Sequence, residues 1–348
     1  MQRIGNLKER FLSFQNLYSA WRKAFRSTKT YESYKFTFTL EKGLFKLQEE
    51  LRSGNYRPGD YRYFTIADPK CRTISVAPFK DRIVHHALIS ILEQVYERRF
   101  IYHSYATRRG KGTHKAIIQV QKYLRNNKWY LKMDIAKYFD SINHDKLYFL
   151  LSRKIKDNFI LDLCRKIINI GGNGYCGLPI GNLTSQFWAN VYLDHFDHFV
   201  KEKLRIGPYL RYMDDFCLFS GEKRKLKKMR IKIKDFLMNG LRLKPKERAT
   251  LINTSVHGLP FLGVRVFPSM IRIRKENFKR SFEKLRKKEK KYHDGKIDYQ
   301  NYISSMMSLL SSLQYWNSKL LLGNMLSKMN NNPRAPGCSK IFSNKHVF

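Results

Sequence analysis

The stretch YLRYMDDFCLFS, from Tyr209 to Ser220, places two adjacent carboxylates between two short runs of strand-forming residues. Both runs are aromatic or apolar and only a few residues long, which is typical of a tight β-hairpin with Asp214 and Asp215 at its tip. Two carboxylates held that close repel each other, so burying them between apolar strands is costly unless a cation binds there. A divalent cation with oxygen ligands satisfies that requirement. The alternative is a solvated turn, since aspartate is a common turn residue.

The charge balance points to a polyanionic partner. The chain has 348 residues, with 68 Lys and Arg against 28 Asp and Glu and a formal charge of +40. So large an excess opposes compaction by self-repulsion and favours nucleic acid as the partner, with an anionic membrane surface as the weaker alternative. The apolar content of 43% excludes a disordered basic tail. The length fits two or three domains, or one elaborate one.

The cysteines and the chain start bear on the compartment. The five cysteines are scattered, with no CxxC pair and no histidines at zinc spacing, which favours reduced thiols in a cytosolic protein. The N-terminus lacks the apolar core of a signal peptide, and no run of eighteen apolar residues occurs. We therefore expect a cytoplasmic protein that neither is secreted nor spans a membrane.

Periodicity predicts the elements that precede the hairpin. Apolar residues three or four apart indicate amphipathic helices at 6–26 and 38–51. Strand-like residues follow at 61–74, joined by a turn at Asp68-Pro69, and a long helix begins after Pro78.

Three basic residues accompany these elements. Arg72 lies in the second predicted strand, and Lys80 and Arg82 lie at the start of the following helix, where N-terminal amides also favour an anion. Together they could clamp a phosphate chain, whereas any one of them alone is more typical of a solvated surface charge.

A third carboxylate follows another predicted strand. Trp129 to Met133, WYLKM, predicts a short buried strand with Asp134 at its end. An aspartate in that place is most commonly a turn or cap residue. If this strand end lies beside the hairpin, however, three carboxylates converge and can hold two metal ions. Between the two, the backbone at 178–181 can approach a ligand closely because of its glycine.

Four segments in this order resemble the reverse transcriptases: MDIAKYFDSI, GLPIGNLTSQ, YLRYMDDF and GLPFLGVRV. Within that superfamily the chain resembles the enzymes of diversity-generating retroelements, because Pro179-Ile180-Gly181 is followed by Ser185-Gln186. Retroviral and intron-encoded relatives usually carry Gln where this chain has Ile180, and introns have Ser-Pro rather than Ser-Gln. The resemblance covers nearly the whole chain apart from the tail.

The resemblance implies an α+β fold, a right-hand polymerase with fingers, a palm of antiparallel sheet plus helices, and a helical thumb. The implied divisions are an N-terminal helical extension at 1–55, fingers at 56–130, a palm at 131–262 with 171–190 bordering the fingers, a thumb at 263–330 and a flexible tail at 331–348.

The resemblance also implies a catalytic centre with two magnesium ions. In that reading Asp134 and Asp214 ligate both ions, Asp215 supports them, and the carbonyl of Ile135 is a further ligand. Lys246 is a candidate proton donor to the leaving pyrophosphate.

The same resemblance assigns the nucleotide pocket. Arg72, Lys80 and Arg82 would hold the triphosphate, or the base in the case of Arg72. Phe139 takes the place of the steric gate that excludes a ribose 2′-hydroxyl. Beside Gly181, the aliphatic Ile180 cannot make the hydrogen bond that a glutamine there would make, so discrimination between nucleotides should fall. Alternatively Ile180 only packs, and Arg72 and other groups set fidelity.

The implied function is RNA-directed DNA polymerisation with low fidelity opposite adenine, which diversifies a target gene. The implied partners are template RNA, the RNA/cDNA duplex, deoxynucleoside triphosphates and a small basic accessory protein. Two other functions stay open at this stage. One is an intron-encoded or defence-associated reverse transcriptase, and the other is a non-catalytic RNA-binding protein with a polymerase fold.

Overall fold

The fold was obtained as a computed structural model that describes residues 3–67, 70–171, 174–314 and 316. The chain divides into two compact units, one made of 1–116 with 131–252 and the other of 117–130 with 253–348. Helices and antiparallel strand pairs alternate along it, so the predicted α+β class is confirmed. The predicted tail at 331–348 lies outside the described residues.

The described helices and strands up to the hairpin are α1 (Lys8–Leu12), α2 (Phe14–Ser27), α3 (Tyr31–Phe38), α4 (Leu40–Arg52), β1 (Arg62–Ile66), β2 (Arg72–Val76), α5 (Phe79–Tyr96), α6 (Thr113–Asn126), β3 (Trp129–Met133), α7 (Tyr138–Ser141), α8 (His144–Ser152), α9 (Asn158–Asn169) and α10 (Leu183–His198). The later ones are β4 (Tyr209–Tyr212), β5 (Asp215–Ser220), α11 (Lys223–Asp235), β6 (Leu251–Thr254), β7 (Leu259–Phe261), β8 (Val264–Val266), β9 (Ile271–Ile273), α12 (Lys275–His293) and α13 (Tyr299–Gln314).

The first of the two helices predicted at the N-terminus is divided in the structure into α1 and α2. Ser13 interrupts the first, because its backbone is extended and its side chain caps α2 by accepting a hydrogen bond from the amide of Asn16. The second, predicted at 38–51, corresponds to α4. A separate helix that the spacing did not predict, α3, precedes it, and Thr30 and Ser33 form a reciprocal cap at its start. Apolar spacing alone did not reveal the break at Ser13, because the stripe continues across it.

The first unit contains the predicted strand pair and the acidic hairpin. β1 and β2 pair antiparallel, with Ile66 opposite Arg72; Asp68 and Pro69, the predicted turn, lie outside the described residues. β4 and β5 also pair antiparallel, with Tyr212 opposite Asp215. The turn is therefore formed by Met213 and Asp214, whereas Asp215 is already the first residue of β5. The sheet order β4-β5-β3-β6 places β3 beside β5, so Asp134 follows the strand next to the hairpin.

Helix α10 packs behind the hairpin. Phe196 lies edge-to-face against Phe216 of β5, with ring centroids 4.8 Å apart, and its ring also meets that of Tyr209 at 6.1 Å. All three residues are fully buried. This aromatic contact fixes the hairpin against a long helix, so the turn between β4 and β5 projects from a rigid base.

The second unit contains the three-stranded antiparallel sheet β7-β8-β9 and the helices α12 and α13. Leu285 of α12 forms a buried cluster with Tyr302, Met306 and Leu310 of α13. The basic residues of α12 are mostly exposed, as expected for its charge.

The structure bears on two features used to predict the compartment, namely membrane-spanning helices and the state of the cysteines. Among the described residues, no helix combines the length and apolarity that a bilayer span requires. The described cysteines Cys71, Cys164, Cys176 and Cys217 form no disulfide; Cys164 and Cys217 are buried and Cys71 is exposed.

Candidate active site

Asp134 and Asp214 lie close together at one edge of the four-stranded sheet. Asp134 follows β3, and Asp214 lies in the turn between β4 and β5, so the neighbouring positions of β3 and β5 in the sheet bring them together. Their carboxyl groups are in hydrogen-bonding contact with each other. Burial, and then the negative charge of Asp134, raise the pKa of Asp214 to about 6, while Arg72 acts in the opposite direction. Like charges in contact make this pair a strong attractor for a cation.

Asp215 faces a different partner. Because it opens β5, its side chain pairs with Lys132 of the adjacent strand β3, with 2.9 Å between Nζ and Oδ2. Burial raises the pKa of Asp215 to about 7, although the ion pair with Lys132 favours the charged form. Its other oxygen, Oδ1, is buried and has no hydrogen-bond partner in the described part of the chain.

The residues present fit a divalent cation held by few protein ligands. In the described ranges, no group of three or more acidic, histidine or cysteine side chains is arranged to hold an ion by itself. Magnesium is commonly bound by one or two carboxylates together with substrate phosphates and water. Asp134 and Asp214 supply that pair, and the orphaned Oδ1 of Asp215 is a further buried acceptor beside them.

Ile135 and Lys246 lie next to this pair through a short backbone bridge. Ile135 is opposite Pro245, and the amide of Lys246 donates to the carbonyl of Asp134 at 2.8 Å. The ammonium of Lys246 lies 3.7 Å from Oδ2 of Asp134. The residue predicted as a proton donor is thus held at the carboxylates by its own backbone.

A cavity of about 800 Å³ opens beside the carboxylates. Most of the residues predicted from the sequence line it, namely Arg72, Asp134, Ile135, Phe139, Ile180, Asp214 and Lys246. Tyr63 and Lys70 of the β1-β2 region and Lys137 also line it. The cavity therefore joins an acidic centre to a cationic wall, which suits a substrate that carries phosphates and a bound cation.

Phe139 and Ile180 belong to one connected wall of this cavity. The amide of Leu178 donates to the carbonyl of Phe139 at 2.8 Å, and the amide of Ser75 donates to the carbonyl of Ile180 at 2.7 Å. The backbone around the predicted gate is therefore tied to the segment that carries Ile180, and that segment is tied to β2.

Gly181 lies against β2 and is not among the residues that line the cavity. Its φ is +116°, and a Cβ there would be 2.8 Å from Cγ2 of Ile74 and 2.9 Å from the carbonyl oxygen of Ser75. Glycine is required for this close approach of two backbones, whatever the ligand.

Lys80 and Arg82 do not line the cavity. The ammonium of Lys80 pairs with Glu50 of α4 at 2.7 Å, and Arg82 donates to the hydroxyl of Ser27 in α2 at 3.0 Å. Of the three predicted phosphate-binding residues, the structure brings only Arg72 to the carboxylates. The packing of α5 against the N-terminal helices determines where the side chains of Lys80 and Arg82 lie. A sequence pattern carries no information about that packing.

Sequence reasoning missed Lys132 and Arg211. Each is a cation inside a strand whose other residues are mostly apolar, WYLKM and YLRY. A charge in such a strand needs a buried partner, which was the available signal.

Comparison with known proteins identifies the family. Residues 67–266, more than half of the chain, match the family model described as reverse transcriptase (RNA-dependent DNA polymerase). The chain belongs to the reverse transcriptase family. The matched range contains every site residue predicted from the sequence.

The relatives of this reverse transcriptase family member include intron-encoded proteins. Group II intron-encoded protein LtrA of Lactococcus lactis subsp. cremoris is 26% identical over 325 residues, which cover 73% of this chain and 54% of that protein. Protein YkfC of Escherichia coli (strain K12) is 27% identical over 266 residues, 63% of this chain and 70% of that protein. An uncharacterized 91 kDa protein in the cob intron of Schizosaccharomyces pombe is 34% identical over 165 residues, 45% of this chain.

The chain spans only part of the length of these intron-encoded relatives. It covers 20% of the Schizosaccharomyces pombe protein and about half of LtrA. Among solved structures, apo telomerase from Candida tropicalis superposes with a TM-score of 0.48 at 14% identity, over 66% of this chain and 52% of that one.

Proposed function

We propose that the chain is an RNA-directed DNA polymerase that copies template RNA into cDNA at the Asp134-Asp214 centre. The observation that carries the proposal is the contact between these two carboxylates at the edge of a cavity that also contains Arg72 and Lys246. Membership of the reverse transcriptase family supports it. Burial, and then the charge of Asp134, raise the pKa of Asp214, and a non-catalytic RNA-binding protein would gain nothing from holding two carboxylates together at that cost.

The side chains around the cavity divide the work of nucleotidyl transfer. Asp134 and Asp214 would hold divalent cations, with the carbonyl of Ile135 as a further ligand; such ions lower the pKa of a primer 3′-hydroxyl and neutralise a triphosphate. Arg72, which lines the cavity, would hold the phosphates or the base of the incoming nucleotide. Lys246, whose ammonium lies 3.7 Å from Oδ2 of Asp134, would give a proton to the leaving pyrophosphate.

Two residues would set which nucleotide enters. The half-exposed ring of Phe139 lines the cavity and would exclude a ribose 2′-hydroxyl, so deoxynucleotides are preferred. Ile180 lines the same cavity with an aliphatic side chain that cannot hydrogen-bond a misplaced base or sugar. Because Ile180 lacks that hydrogen bond, the proposed retroelement-type enzyme would discriminate less between correct and incorrect nucleotides and make errors opposite adenine.

We further propose that the chain belongs to the diversity-generating type, with magnesium as its ion and a small basic accessory protein as a partner. Ile180-Gly181 followed by Ser185-Gln186 supports this subtype. The second candidate is an intron-encoded reverse transcriptase, which the similarity to LtrA favours. The two differ in fidelity opposite adenine, which an experiment can measure.

The test is primer extension on an RNA template rich in adenine, with magnesium and deoxynucleotides, followed by sequencing of the cDNA. The reaction is run with the chain alone and with the native template RNA and accessory protein, beside the Asp214→Asn variant. Mutant-sensitive cDNA with errors concentrated opposite adenine supports the retroelement type. Faithful cDNA instead assigns the chain to the intron-encoded type, and the absence of any mutant-sensitive product in both settings refutes the polymerase.

A further inference from the structure

Arg211 carries a fully buried charge directly behind the acidic turn. Its side chain and that of Asp197 of α10 are both 0% exposed. The guanidinium donates to both carboxylate oxygens, from Nε to Oδ1 at 2.7 Å and from Nη2 to Oδ2 at 2.6 Å. The hydroxyl of Tyr209 donates to the same Oδ1 at 2.7 Å. Buried ion pairs are often no more stabilising than apolar side chains of the same volume, so stability alone does not account for this one.

The remaining donor group of Arg211 reaches the turn. Nη1 donates to the carbonyl oxygen of Met213 at 3.0 Å and to Oδ1 of Asn190 at 3.0 Å. Asn190 in turn donates to the carbonyl of Ala106 at 2.8 Å, so it is itself anchored away from the hairpin. Besides its bond to Met213, the guanidinium is thus held by three hydrogen bonds, two to Asp197 and one to Asn190.

The turn is strained at the residue that Arg211 holds. Met213 has φ of +57°, in the left-handed region that non-glycine residues rarely adopt. The carbonyl of Met213 belongs to the planar peptide unit that also contains the nitrogen and Cα of Asp214. A hydrogen bond to that carbonyl therefore sets the direction in which Asp214 leaves the turn.

We propose that Arg211 is a positioning residue, which holds the strained Met213-Asp214 peptide so that the Asp214 carboxylate faces Asp134. Asp197 and Asn190 orient the guanidinium, and the single bond to Met213 transmits that orientation to the turn. The inference deepens the proposed function and rests on it for the role of Asp214. It assigns to the buried pair a task that an apolar replacement of equal stability does not perform.

The principal test compares Arg211→Lys with the double variant Arg211→Lys, Met213→Gly. A lysine keeps the charge beside Asp197 but cannot bind two oxygens of the carboxylate and the carbonyl of Met213 at once. We expect kcat for deoxynucleotide addition to fall about 5–30-fold, the factor that corresponds to the cost of the left-handed conformation, with little change in the nucleotide KM. Glycine adopts that conformation without the cost, so the double variant recovers most of the loss.

A second readout needs no catalysis. The magnesium dependence of the melting temperature, measured without nucleotide or template, gives an apparent Kd for the ion. We expect Arg211→Lys to raise this Kd by about the same 5–30-fold factor and Met213→Gly to restore it. Tyr209→Phe is the matched control, because it removes a hydrogen bond from the same buried carboxylate without touching the bond to Met213. It should lower the melting temperature while leaving kcat and the Kd unchanged.

An apolar variant covers the case in which Arg211→Lys does not fold. Arg211→Met with Asp197→Leu and Tyr209→Phe removes the buried ion pair and the hydroxyl that donates to it, a kind of replacement that is often neutral for stability, while Asn190 keeps its bond to the carbonyl of Ala106. A folded triple variant should show the same loss of kcat and of magnesium affinity.

The outcomes separate the two proposals. A folded Arg211 variant with unchanged kcat and magnesium Kd overturns the positioning role, as does a loss that Met213→Gly does not relieve. If the wild-type chain binds magnesium but extends no primer, the proposed function fails, while a weaker Kd in Arg211→Lys still supports the positioning role.

Discussion

Replacing Asp214 with asparagine should stabilise the metal-free protein while removing its activity. Burial and Asp134 raise the pKa of Asp214 from its ordinary value of 3.8 to about 6. That difference of about two units corresponds to a destabilisation of about 3 kcal/mol when the carboxylate is charged. Asparagine has nearly the same shape without the charge. We expect the melting temperature of Asp214→Asn to exceed that of the wild type by about 5–10 °C in EDTA near pH 7.5.

The pH dependence of this gain follows from the same two pKa values. Above pH 6 the carboxylate is charged in the folded and the unfolded states, and the full penalty applies. Between pH 6 and about pH 4 the folded state binds the proton that the unfolded state has lost, so the penalty fades as the pH falls. The advantage of Asp214→Asn should therefore disappear towards pH 4.

Magnesium should reverse the order of the melting temperatures of the wild type and Asp214→Asn. An ion that binds only the folded state stabilises it in proportion to the logarithm of its concentration over its Kd. The wild type should gain stability on titration with magnesium, and Asp214→Asn should gain much less. Asp140→Asn is the control, since Asp140 is an exposed carboxylate at the same cavity. A lower melting temperature of Asp214→Asn in EDTA near pH 7.5 would refute the account of the carboxylate pair.

Three further substitutions test two residues that line the cavity, Phe139 and Arg72, and the close approach of Gly181 to β2. Phe139→Ala should lower the preference for deoxynucleotides over ribonucleotides on the order of 10–100-fold in single-nucleotide addition, and an unchanged preference would contradict its role as the gate. Arg72→Ala should raise the nucleotide KM about 10–100-fold, whereas Lys80→Ala, outside the cavity, should change it less than about twofold; equal effects would mean that Lys80 reaches the substrate after all. Gly181→Ala should lower the free energy of unfolding in urea by about 2–4 kcal/mol. The alanine would have to adopt a φ of +116°, and its Cβ would lie 2.8 Å from Cγ2 of Ile74. A neutral result would mean that the segment around Gly181 can move away from β2.

The sequence predicted the hairpin and β3 because their apolar residues are short runs bounded by polar ones. It also predicted that Asp134 and Asp214 would meet, since both follow strand ends. It did not predict the separate direction of Asp215. Side chains alternate along a strand, and only the observed register, with Asp215 opposite Tyr212, places it in β5 facing Lys132.

The basic residues were less predictable, because their partners come from distant parts of the chain. Lys80 and Arg82 lie at the start of α5, a place that suits phosphate binding, yet α4 and α2 supply their partners Glu50 and Ser27. The partners of Arg211, Asp197 and the carbonyl of Met213, lie around it only in the folded chain. Such contacts depend on tertiary packing, which periodicity does not encode.

The most direct test of the central claim is single-nucleotide addition to a primer on an RNA template, compared between the wild type, Asp134→Asn and Asp140→Asn. The account predicts magnesium-dependent addition of the complementary deoxynucleotide by the wild type and by Asp140→Asn, and a loss of at least about 10³-fold in Asp134→Asn, since positioning of the charge that develops in transfer dominates this chemistry. Addition by Asp134→Asn at the wild-type rate would contradict the assignment of the reaction to the Asp134-Asp214 centre.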